Sequence, residues 1–129
     1  MTPVRREFRS QTIEVNGRPM FFRFSEGEAP AGRPAVVFVH GFVHAGSYML
    51  PTAEHLAADF PVFAPDLPGF GESPGPRRAF DVAELGAALA DWLAAMNLGQ
   101  VALLANSFGC QVAVECVLPS PERVSHLIL

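Results

Sequence analysis

The chain has 129 residues, of which 50% are hydrophobic and 17% charged, so it is long enough and apolar enough for one domain with a buried core and is not a disordered chain. Twelve Pro and 11 Gly call for many turns and short elements rather than a coiled coil. With net charge −4 and nine basic residues that are all Arg, it has no global attraction to nucleic acid or to an anionic membrane.

In chain order, residues 7–15 place Phe8, Ile13 and Val15 among polar residues, as an edge strand does. Asn16-Gly17 and the run 18–24 follow, which predicts a β-hairpin. Residues 25–34 read as a loop. Ala35-Val-Val-Phe-Val39 is short, continuously apolar and β-branched, the pattern of a strand buried on both faces. The Gly-bearing loop 40–47 leads to a helix near 48–58, with Pro51 in its first turn or at its start. Residues 61–65 form a second buried strand, followed by the turn-rich segment 66–76.

Val82, Leu85, Leu89, Trp92, Leu93 and Met96 recur at helical spacing over 82–96. Asp81 and Glu84 suggest a capping box, and Gly99 a stop. Residues 100–104 read as a third buried strand and 108–118 as a helix buried behind the sheet, ended by Pro119, Ser120 and Pro121. Val124–Leu129 reads as a fourth buried strand. Strand–helix alternation from residue 35 onward predicts a mostly parallel sheet with right-handed crossovers, flanking helices and an N-terminal antiparallel hairpin. The chain ends inside an apolar run, which reads as a cut rather than a natural terminus.

The N-terminus has no apolar core of signal-peptide length and no stretch approaches a membrane span, so the expected location is cytoplasmic. Cys110 and Cys116, six positions apart on one helix, are too far apart for a disulfide and are expected as two buried small hydrophobes. No Cys/His metal cluster is visible, and no metal or cofactor is expected.

Function in such sheets sits in loops beyond the carboxyl ends of the strands. Ala105-Asn-Ser-Phe-Gly109 places a Ser between small residues and between a strand and a helix, the layout of a nucleophile elbow. Ser107 alone is equally an ordinary helix N-cap. His40-Gly41-Phe42 follows the first buried strand; the Gly lets the loop fold back, so that the Phe42 and Phe108 N–H groups would be two oxyanion donors. His40 is expected to order its loop by hydrogen bonds rather than to act as a base. Asp66, opening Asp66-Leu-Pro-Gly-Phe-Gly-Glu-Ser73, is expected to accept backbone N–H bonds within its own loop.

These three loops, in this order and spacing, resemble the α/β-hydrolase superfamily, and the hairpin fits as well. The resemblance implies the N-terminal part of that fold, ending after its sixth strand, as one incomplete domain over residues 1–129. It implies Ser107 as nucleophile, Phe42 and Phe108 as oxyanion hole, and His40, Gly41, Asp66 and Gly109 as loop-structural residues near the site. Ala105 departs from the usual Gly but keeps a small residue. The superfamily order is Ser, then acid, then His. After Ser107 the chain offers only Glu115 on the following helix, Glu122 in a turn and His126 in the last strand, none well placed for either role.

The expected activity is therefore a serine hydrolase working through an acyl-enzyme on an ester, thioester, amide or C–C bond, weak or inactive as this chain. The alternatives are a non-catalytic hydrolase-like binding module and a cofactor-free haloperoxidase-type enzyme. A Ser at the elbow argues against the epoxide hydrolases and haloalkane dehalogenases, which use a carboxylate. His44 and Phe70, with Phe42 and Phe80, are candidates to line a substrate pocket, although Phe is more often core. Arg77-Arg78 reads as a solvated loop and His55 as helix surface. The expected partners are a small-molecule substrate and a second copy paired through the last strand, with neither nucleic acid nor membrane.

Overall fold

The computed structural model describes residues 6–42 and 44–129. Six strands form one sheet: β1 (Phe8–Val15), β2 (Arg18–Ser25), β3 (Ala35–Val39), β4 (Val62–Pro65), β5 (Val101–Ala105) and β6 (Val124–Ile128), in the order β1-β2-β4-β3-β5-β6. The strands of β1–β2 and β2–β4 are antiparallel, and β3, β4, β5 and β6 are parallel. The turn of the first hairpin has two residues in the left-handed region, Asn16 at φ 51 and Gly17 at φ 76. Such a turn matches the twist of the two strands it joins.

A short 3-10 turn (Gly46–Met49) runs into α1 (Leu50–Leu56), with Pro51 in its first turn; the helix expected near 48–58 is thus shorter and begins as a tighter turn. Two longer helices follow, α2 (Val82–Met96) and α3 (Phe108–Val117). The capping box at the start of α2 is formed in both directions between Asp81 and Glu84. Its end differs from expectation: Asn97, at φ 52, is the left-handed cap, two positions before Gly99. Asn tolerates that conformation better than other side-chain-bearing residues, so the helix closes before the Gly is reached.

β3 is buried on both faces, and its alternation divides the core. Val37 and Val39 pack with Leu85, Leu89, Trp92, Val112 and Cys116 of α2 and α3. Val36 and Phe38 pack with Ala53 and Ala57 at the α1 side. The chain leaves β3 through α1 toward β4, then crosses back through α2 to β5 on the opposite side of β3. Strand order therefore reverses at β3, the kind of position beyond whose carboxyl ends α/β sheets place their ligand sites. The register Val39↔Ala105 starts the two following loops at the same level.

Two burial expectations are corrected. In β6 only Val124 is partly covered, whereas Ser125, His126, Leu127 and Ile128 are exposed, because β6 lies at the sheet edge and, among the described residues, pairs with β5 alone. Cys116 is buried but Cys110 is half-buried, since its turn of α3 faces outward beside Val82 and Gln111; both are free thiols. Burial pushes the Cys116 thiol up to about 12. Among the described residues no helix is long and apolar enough to cross a membrane.

Candidate active site

Ser107 stands one residue beyond β5 and opens α3. Its backbone lies at φ 55, ψ −124, a region that side-chain-bearing residues rarely adopt. The surrounding turn imposes this conformation. Asn106 N–H donates to the Val39 carbonyl (3.1 Å), Gly109 N–H to that of Asn106 (2.9 Å) and Cys110 N–H to that of Ser107 (2.9 Å). Ser107 occupies the N-cap position, yet its side chain makes no capping hydrogen bond. Of the two local roles open in the sequence, the cap is unused and the residue is left exposed.

Gly109 explains why the turn can be so tight. A methyl group there would overlap the carbonyl oxygens of Val39 and His40, so α3 passes β3 at a distance only Gly allows. Phe108 is the first residue of α3, where backbone N–H groups have no intrahelical acceptor. Gly41 lies directly opposite: a methyl group on it would sit 3.5 Å from the Ser107 Cβ and 3.5 Å from the His44 Cδ2. The loop holding Phe42 and the elbow holding Phe108 thus meet around Ser107.

His40 is fully buried. Its Nε2 accepts the Leu67 N–H (3.0 Å) and its Nδ1 meets the Gly41 carbonyl (2.9 Å), which defines a neutral ring with the proton on Nδ1. Burial holds its pKa below the usual 6.5, although its contact with Gly41 and the Asp66 charge pull the other way. Both nitrogens are thus engaged by the backbone of the two loops, the hydrogen bonding expected of His40.

Asp66 is likewise fully buried. Its carboxylate accepts the N–H groups of Gly46 (2.6 Å) and Glu72 (2.9 Å), and Arg23 approaches at 3.5 Å. One donor, Glu72, lies in its own loop, as expected, and the other, Gly46, in the loop after β3. Ser73, which nothing in the sequence singled out, completes the brace: its hydroxyl donates to the Asp66 carbonyl (2.7 Å) and accepts the Phe21 N–H (2.9 Å).

Phe42 is 60% exposed and meets Phe108 and Phe70 edge-to-face, with centroids 5.6 and 5.9 Å away. Phe70 also touches the His40 ring. His44 is exposed and stacks on Tyr48 at 4.1 Å, a partner that four-residue spacing at the entrance to α1 could have suggested. His44, Ala45, Ser47, Tyr48 and Gly71 line an open cavity of about 400 Å³.

Phe80 does not join this group. It sits under the Arg18 guanidinium and lines a separate cavity of about 230 Å³ with Val15, Met20 and Pro68, because the segment containing it runs back along the hairpin side. Arg78 is held by both Glu84 carboxylate oxygens at 2.8 Å and so is paired, while Arg77 is exposed.

No imidazole–carboxylate pair is brought to Ser107 among the described residues. His126 is exposed on β6 opposite Ala102, five positions before Ser107, or roughly 16 Å along a strand. Glu115 packs on α2 beside Gly86, Glu122 is exposed, and His55 is exposed on α1. No group of three or more His, Cys, Asp or Glu able to hold a metal occurs among the described residues.

Comparison with known proteins agrees with this architecture. A family model described as alpha/beta hydrolase fold matches residues 34–129. The 1-acylglycerol-3-phosphate O-acyltransferase ABHD5 of Rattus norvegicus is 35% identical over 126 residues, covering 95% of this chain and 36% of that protein. A 1-acylglycerol-3-phosphate O-acyltransferase of Arabidopsis thaliana is 36% identical over 107 residues, covering 79% of this chain and 26% of that protein. The chain therefore spans about a third of the length of the curated relatives it matches. Among solved structures, Cfl2 of Burkholderia cenocepacia superposes with TM-score 0.84 at 30% identity, over 98% of this chain and 44% of that one. A bacterial membrane phospholipase A gives TM-score 0.84 at 26% identity, over 93% of this chain and 38% of that one. With its sheet order, its strained strand-to-helix turn and this match to most of its length, the chain belongs to the alpha/beta hydrolase fold family.

Proposed function

We propose that this chain carries the nucleophile and oxyanion hole of a serine hydrolase acting on carboxylic esters or related acyl compounds. Ser107 Oγ attacks the acyl carbon, and its proton passes to a base and then to the leaving group. The Phe42 and Phe108 N–H groups receive the negative charge that develops on the carbonyl oxygen. Water then releases the acyl group from Ser107. The observation that carries this reading is the uncapped Ser107 side chain, held at φ 55 against Gly41. The names of the relatives support the substrate class, since an O-acyltransferase and a phospholipase both handle acyl esters.

A second reading, a binding module without turnover, is favoured by the lack of a described base and acid at Ser107. A fluorophosphonate probe separates the two. Modification of Ser107, slow in this chain and lost in Ser107→Ala, is the expected result. A folded sample left unmodified after prolonged exposure would establish the binding module instead.

A further inference from the structure

Resting on the hydrolase reading of Ser107, we propose that the cavity lined by His44, Ala45, Ser47, Tyr48 and Gly71 is the subsite for the alcohol arm of the ester, and that it takes an uncharged, hydroxyl-bearing alcohol such as a glycerol moiety. Its position comes first. A methyl group on Gly41 would lie 3.5 Å from both the His44 Cδ2 and the Ser107 Cβ, so His44, which lines the cavity, stands on the side of Gly41 that faces Ser107, and the cavity lies next to where an ester at Ser107 would carry its alcohol arm. On the same loop, Phe42 instead joins Phe70 and Phe108 in an apolar cluster suited to the acyl arm. The loop after β3 thus offers one dry wall and one polar wall.

The chemistry of the polar wall selects the ligand. The Ser47 hydroxyl, the Tyr48 phenol and the His44 ring each donate and accept hydrogen bonds, and all three residues are exposed. No Arg is among the described lining residues. Glu72 follows the lining residue Gly71 and the Asp66 carboxylate lies beneath it, while Arg23 is engaged by Asp66. This local charge disfavours a phosphate. The floor is preorganised: Asp66 holds the N–H groups of Gly46 and Glu72, and Gly71 packs against its carboxylate and Ala45. The backbone of Gly46 and Gly71 is thus held in place before a ligand binds.

The test is equilibrium binding to the Ser107→Ala chain, in which no turnover occurs, of three hexanoyl esters that differ only in the alcohol: 1-monohexanoylglycerol, methyl hexanoate and 1-hexanoylglycerol 3-phosphate. The glycerol ester is expected to bind about 10-fold more tightly than the methyl ester, the gain of two neutral hydrogen bonds. Ser47→Ala and Tyr48→Phe, both at exposed positions, should each reduce that preference several-fold and leave methyl hexanoate unchanged. Equal affinity for the glycerol and methyl esters, tightest binding of the phosphate ester, or no binding of any of the three overturns the proposal. Fluorophosphonate modification of the unsubstituted chain judges the nucleophile separately, so failure of the subsite and failure of the hydrolase reading are distinguishable.

Discussion

The Nε2 of His40 accepts the backbone N–H of Leu67 at 3.0 Å, which fastens the loop after β3 to the loop after β4. The bond needs an unprotonated nitrogen, and burial supplies that condition by lowering the pKa of the ring. His40→Ala leaves the Leu67 N–H and the Gly41 carbonyl without these partners and opens a cavity. The expected loss is about 3 kcal/mol, measured by urea unfolding.

The same bond fixes a pH dependence. The folded chain binds the His40 proton less readily than the unfolded chain, so the contribution is complete above the ordinary value of 6.5 and is lost as pH falls through the lowered one. Melting temperatures at pH 7.5 and just below 6 should diverge more in the unsubstituted chain than in His40→Gln. Parallel curves for the two proteins would remove His40 as the cause.

Ser107 and Gly109 make opposite predictions two residues apart. Ser107→Gly relieves a backbone that Gly adopts readily, and should stabilise the chain by about 1–2 kcal/mol while abolishing fluorophosphonate modification. Gly109→Ala drives a methyl group into the Val39 and His40 carbonyls and should destabilise it by at least about 2 kcal/mol. Thermal unfolding of the two variants reads both signs in one experiment.

At the start of α2, Arg78 and the capping-box N–H of Asp81 hold Glu84 down at about 2. Arg78→Ala should return the Glu84 titration toward its ordinary range near 4.5, as followed by NMR of the side-chain carboxyl carbon. The Glu84 contribution to stability is present above that ordinary value and fades as pH falls toward 2, so Arg78→Ala should reduce the acid sensitivity of α2.

Among the described residues β6 has an unpaired edge, with Leu127 and Ile128 38% and 50% exposed. Such edges recruit further strands. Concentration-dependent association in sedimentation velocity, reduced by Ile128→Lys, is the expected behaviour.

The amino-acid sequence by itself determined the order and type of the elements, because the relevant signals are local. Apolar runs mark strands buried on two faces, Asn16-Gly17 marks a hairpin turn, and Asp81 with Glu84 marks a helix start. The elbow was legible for the same reason, since Ser107 needs small neighbours where a strand turns into a helix. Even where a local signal misled, as when Asn97 closed α2 ahead of Gly99, the displacement was two residues. What only the tertiary structure decided are the relations across the sheet. That β6 is exposed follows from its edge position rather than from its apolar residues. The brace of Ser73, Asp66 and His40 and the exclusion of Phe80 depend on which loops the reversal of strand order at β3 brings together. Such contacts join residues far apart in the chain, and no periodicity or spacing along the sequence encodes them.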